Sequence, residues 1–121
     1  MSAPYTVLPR SPRSAAVARR LVLVHGTALS SRQRADAALL VSELVTNAVI
    51  HGIGTISLRI DVEPDGLRVE VADEGEVEVA PSPTAGARGG WGLRIVDLLA
   101  DDWGVLKGST KVWFRVVTDA A

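Results

Sequence analysis

The stretch "ELVTNAVIHG", Glu43 to Gly52, sets a carboxylate, an amide and an imidazole into a run of Leu, Val, Ile and Ala. Glu43, Asn47 and His51 stand four positions apart, about one helical turn, so on a helix their side chains share one stripe. A core-facing stripe is normally apolar and a solvated one mostly charged. This stripe is neither, and it reads as one wall of a site. A plain solvated helix face is the competing reading for Glu43 and Asn47.

Working outward, "SSRQRADAALLVSELVTNAVIHG" is one long helix. Ser30 or Ser31 supplies its cap, Leu40, Leu44 and Ala48 its core stripe, and Gly52 its stop. Upstream, "YTVLP" is a short strand ended by Pro9 and Pro12. Ser11 or Ser14 then caps a helix to about Val24, which sets Ala15, Ala18, Leu21 and Val22 on one face and ends at Gly26. Downstream the period changes from helix to strand. "TISLRIDVE" alternates Ile56, Leu58, Ile60 and Val62 inward against Ser57, Arg59, Asp61 and Glu63 outward, and "LRVEVAD" repeats the pattern. With the turn "PDG" between them they form an antiparallel hairpin with one covered face. "PSPTAGARGG" is a loop by composition. "GLRIVDLLADD" is a third helix, with Leu93, Val96 (or Ile95) and Leu99 at helical spacing. "WGVLK" and "KVWFRVV" are strands around "GST". The expected fold is α+β, a two-layer sandwich in which three helices cover one face of a mostly antiparallel, mixed sheet.

The chain has 121 residues, enough for one domain spanning 1–121 and one core. A net charge of −1 gives no electrostatic reason to expect direct binding of nucleic acid or an anionic membrane. The chain has no cysteine, which excludes thiol chemistry and fits a reducing compartment. No stretch approaches the roughly 20 apolar residues of a membrane span, and the first residues lack the pattern of a signal peptide. A cytoplasmic protein is expected.

Two further polar stations accompany the helix stripe. "ADEG" puts Asp73 and Gly75 where a buried strand ends, although Asp73 reads equally well as a turn residue. "RGGWGL" runs Gly89, Gly90 and Gly92 into Leu93 and the start of a helix, where free backbone N–H groups and the dipole favour phosphate. His51, just before the stop, is at home as a cationic C-terminal residue as well as a ligand contact. One ligand accounts for all three stations. Mg²⁺ with polyphosphate needs few protein oxygens, and one Asn carbonyl suffices. A carboxylate one turn away could activate an attacking hydroxyl, and Asp73 could accept from the exocyclic amine of adenine. The result is an ATP site between a helix and a sheet, with neither a Walker-type loop nor a strand-linked GxGxxG.

"ELVTNAVIHG", "VADEG" and "GGWGLRIVDLLADDWGV" resemble, in order and spacing, the N, G1 and G2 boxes of the GHKL ATPases, the gyrase and histidine-kinase type with the Bergerat fold. The resemblance is nearest to the small stand-alone bacterial anti-sigma-factor serine/threonine kinases, and it extends to "SPRSAAVARRLV" and "KVWFRV". It implies ATP and Mg²⁺ as cofactors, Asn47 as metal ligand and Glu43 as general base. Asp73 would read adenine and Gly75 would let the base approach, while Gly90, Gly92 and Leu93 would wrap the phosphates. Thr110 would support the adenine pocket. His51, from the helix stripe, and Gly89, from the glycine turn, are counted with the expected nucleotide contacts on the residue reading alone. The implied partners are a sigma factor and a STAS-type anti-anti-sigma protein, with a homodimer left open. Three positions depart from the pattern: Val77 replaces the second glycine of the G1 box, Trp91 fills the middle of the G2 turn, and Lys111 stands where relatives carry a hydroxyl. A catalytic kinase and a non-catalytic ATP-binding module of the same fold both remain, with a subunit of a larger ATPase machine a third alternative.

Overall fold

Ser30 starts the longest helix. Its hydroxyl accepts from Gln33 N and its own N–H donates to the Gln33 carboxamide, both at 3.1 Å. This reciprocal capping box satisfies two donors that a helix start leaves unpaired, and α2 runs from it over Ser31–His51. The computed structural model describes residues 3–75, 90–106 and 109–118, with the backbone alone for 90–93. Ala37, Ala38, Leu40, Val41, Leu44 and Val45 are buried along the inner face of α2, and Ala48 is partly buried against the same core.

The second helix of the layer, α1 (Arg13–His25), packs along α2 through Ala18 and Val22, both fully buried. Its start corrects the expected serine cap. Pro12 is the N-cap residue, and no side chain caps the helix; proline lacks the N–H that a helix start would leave unpaired. Ser14 is instead buried and donates its hydroxyl to Pro9 O, while Ser11 Oγ accepts from Arg13 N at 3.3 Å.

The sheet has the order β1-β2-β3-β5-β4, from β1 (Thr6–Leu8), β2 (Ile56–Glu63), β3 (Gly66–Ala72), β4 (Asp102–Val105) and β5 (Val112–Val117). All four neighbouring pairs are antiparallel. The expected mixed sheet is corrected: among the described strands no parallel pair exists. The β3–α3–β4 connection does return the chain parallel to β3, but β5 inserts between them and is antiparallel to both. The β2–β3 hairpin pairs Glu63 with Gly66, so only Pro64 and Asp65 form its loop.

Ile56, Leu58, Ile60, Leu67, Val69, Val71, Val112, Phe114 and Val116 line the helix-covered face. Val62 departs from the expected alternation. It lies beside the hairpin turn and is 59% exposed. Glu70 departs in the other direction, pointing away from the helices yet only 4% exposed. Tyr5 Oη donates to it at 2.6 Å and Arg59 Nη2 at 2.9 Å, and Arg68 closes the group. Arg59 also stacks over the Tyr5 ring and Arg68 over Trp113, at 4.6 and 5.0 Å from the ring centroids. Burial alone would push the Glu70 carboxyl up; the hydrogen bonds from Tyr5, Arg68 and Arg59 outweigh it and hold the group at about 2.

The third helix, α3 (Gly90–Leu99), starts two residues before the expected helix and ends before Ala100. Val96 is fully buried while Ile95 is only partly so, which settles the choice between them. β4 begins at Asp102, one residue before the expected strand, and ends at Val105.

Candidate functional site

The last turns of α2 deliver the polar stripe. Glu43 and Asn47 are half-buried beside the buried Leu44 and Val45, and His51 is exposed at the final helical residue. Gly52 closes the helix, its N–H donating to Ala48 O at 2.8 Å. Arg10, from the β1–α1 connection, reaches Val49 O and Gly52 O at 3.4 and 3.3 Å. A guanidinium at this end meets both the unpaired carbonyls and the negative pole of the helix.

Gly52 is more than a stop. Its φ is −87°, which any residue adopts, so backbone freedom does not explain it. A Cβ placed there would lie 2.5 Å from Asp73 Oδ2. Glycine is required because a side chain here would meet both the Ala48 carbonyl of the helix's own last turn and the Asp73 carboxylate, which packs directly on this backbone. The end of α2 and the end of β3 therefore meet with nothing between them, and Asn47 sits five residues, about 7.5 Å along the helix, from that contact.

Asp73 is fixed from three sides. Its Oδ1 accepts from Gly75 N at 2.6 Å, and its backbone N–H donates to Thr110 Oγ1 at 3.2 Å. The same hydroxyl lies 3.3 Å from Asp73 O, to which it donates. A carboxylate has about four lone-pair positions, so Asp73 keeps acceptor capacity for a ligand amine. Beside it the Ile53 side chain and the Thr110 methyl border Gly75, at 3.8 and 3.4 Å from where its Cβ would be. These apolar groups beside one oriented carboxylate suit a planar base with an amine on its edge.

Lys111, one residue on, points away from Asp73. Its Nζ donates to Tyr5 Oη at 2.8 Å on the open face of the sheet and takes no part in this corner of the site. Its departure from the family pattern therefore bears on the Glu70 cluster.

The first turn of α3 includes Gly90, Gly92 and Leu93. Gly90 is expected ahead of the helix and Gly92 at its start; both lie within it, so their backbone N–H groups are among the four that a helix start leaves free. α3 packs against α2, which brings that turn and the polar stripe to one side of the sheet. Gly89, Val77 and the segment 76–89 lie outside the described residues. Among the described residues no three His, Asp or Glu side chains converge on a metal site. The amide oxygen of Asn47 is of the hard-donor type that Mg²⁺ takes alongside phosphate oxygens.

Two contacts here escaped the sequence reading: Asp73 on Gly52, and Arg10 on the α2 carbonyls. The glycines of "HGIG" were the available signal for the first. The second leaves no local trace.

Three helices on one face of a five-stranded antiparallel sheet make the fold of a GHKL-type ATP-binding domain. The chain matches the histidine kinase-like ATPase domain over residues 8–116, and it belongs to that family. No curated protein matches the chain. None of its described helices is long and apolar enough to cross a membrane.

Proposed function

We propose that the domain is a regulatory serine/threonine kinase that binds Mg·ATP, sequesters a sigma factor, and phosphorylates a STAS-type anti-anti-sigma partner. The observation that carries this reading is the joint between α2 and β3. It supports a site in which Asn47 and Glu43 stand about one and a half and two and a half helical turns from Gly52, on which the residue that would select the base packs. Asp73 accepts from the adenine amine, with Gly75, Ile53 and Thr110 around the ring. Asn47 is the residue that would hold Mg²⁺, and the ion would supply charge neutralisation for the polyphosphate. The first-turn amides of α3 take phosphate oxygens. Glu43 accepts the proton of the partner's Ser or Thr hydroxyl as its oxygen bonds to the γ-phosphorus. The bond from that phosphorus to the bridging oxygen breaks, and ADP leaves.

Val77 at the second glycine of the G1 box favours a second reading, an ATP-binding interaction module without transfer. The two part on one experiment with γ-labelled ATP, a STAS-type partner and a sigma factor. Label on the partner, reduced ~10²–10⁴-fold by Glu43→Gln with ATP affinity held within about threefold, is expected of the kinase. An unlabelled partner despite binding of both ATP and sigma factor would establish the module.

A further inference from the structure

The two acids of "ADEG" each pack on a glycine of "HGIG": Asp73 on Gly52 and Glu74 on Gly54. Only the first pair lies in the site described above. The second holds the connection between α2 and β2. Glu74 N donates to Ile53 O at 2.9 Å. Its Oε2 accepts from Thr55 N at 2.6 Å and from Thr55 Oγ1 at 3.2 Å. Gly54, between the two bonded residues, has φ +68°, a left-handed conformation that favours glycine, and a Cβ there would run into the Glu74 carboxylate.

We infer that Glu74 is a positioning residue for the nucleotide site. Its backbone and carboxylate clasp Ile53 and Thr55 from both sides of Gly54. That clasp holds Gly52 and Ile53 at the fixed distance from β3 at which Asp73 meets the helix end and Ile53 borders Gly75. Without the carboxylate, the Glu74 N–Ile53 O bond is the hydrogen bond that, among the described residues, still ties this glycine-centred connection to the end of β3. Arg10 on Gly52 O comes from the other side, and the base-selecting corner loosens. The inference rests on the reading of Asp73 as the base-selecting residue.

The full chain carrying Glu74→Ala, Glu74→Gln or Asp73→Asn tests it, through ATP and GTP affinities by calorimetry in Mg²⁺ buffer and the amide resonance of Gly75. In Glu74→Ala, ATP affinity should fall about tenfold, ~1.4 kcal/mol, with GTP affinity little changed, while Glu74→Gln, whose amide oxygen still accepts from Thr55 N, stays within about threefold of wild type. The Gly75 amide, bonded to Asp73 Oδ1, should shift in Glu74→Ala and stay in place in Glu74→Gln. An unchanged ATP-to-GTP ratio with an unmoved Gly75 resonance overturns the inference. So does an equal loss of both nucleotides in the alanine and glutamine variants, which would mark a merely stabilising turn. If wild type binds ATP and GTP alike and Asp73→Asn leaves that unchanged, the reading of Asp73 has failed. Glu74 is then judged on the Gly75 resonance alone, and an unmoved signal in Glu74→Ala overturns it.

Discussion

Asp73 and Glu70 stand three residues apart at the end of one strand, and their surroundings give them opposite characters. Asp73 is half-buried and keeps lone pairs for a ligand. Asp73→Asn replaces one acceptor oxygen with a donor, which would face the adenine amine and suit the guanine carbonyl. Its preference for ATP over GTP should shrink by about 1–3 kcal/mol, read from the two dissociation constants. Glu70 has no such freedom. Its folded pKa of about 2, against an ordinary 4.5, means that the ionised form is favoured in the native state. That stabilisation is complete above pH ~4.5 and is lost as pH falls toward ~2, an amount on the order of 3 kcal/mol. Urea midpoints of wild type and Glu70→Gln should therefore differ most at neutral pH and converge through that acid window; a constant gap would contradict the assignment. Alternation in "LRVEVAD" correctly sends Glu70 to the face away from the helices. It sets Arg68 on the same face but cannot reveal that Tyr5 and Arg59 join it over the carboxylate, because those two come from elsewhere in the chain.

Elements set by local chemistry were legible in advance. α2 is framed by a capping box and a terminal glycine, and the β2–β3 hairpin by its turn residues, so their existence and facing follow from short stretches. What depends on distant partners was not. The position of β5 between β3 and β4, and with it the antiparallel character of the whole sheet, leaves no mark in any window of sequence. The Glu43–Asn47 stripe was readable because both residues share one helix; the Gly52–Asp73 contact was not, because it joins two elements. The cap and the site lie at opposite ends of α2, about 25 Å apart from Ser30 to Asn47. Ser30→Ala should consequently destabilise the fold by about 1 kcal/mol in urea unfolding. Nucleotide affinity, measured under native conditions, should be unchanged; a linked loss would mean that fraying at the cap travels the length of the helix.

The molecule is a thin sandwich, with one helical layer on one sheet, and ligand binding to it adds directly to its stability. At a free Mg·ATP concentration 100 times the dissociation constant, linkage raises unfolding free energy by about 2.7 kcal/mol, which should appear as a rise of several degrees in the melting temperature. Asn47→Ala should remove the Mg²⁺-dependent part of that rise, read as the difference between melting temperatures with and without Mg·ATP. The order of strands has a further consequence for how such a chain is made. β5 is the last of the five to leave the ribosome, yet it sits inside the sheet and brings Phe114, fully buried. Until it emerges, β3 has one bare edge and β4 has no neighbour at all. Helices α1 and α2 and the β2–β3 hairpin can pair early, but during translation they shelter an unfinished core. Everything made before Val112 waits on six residues to become a folded protein.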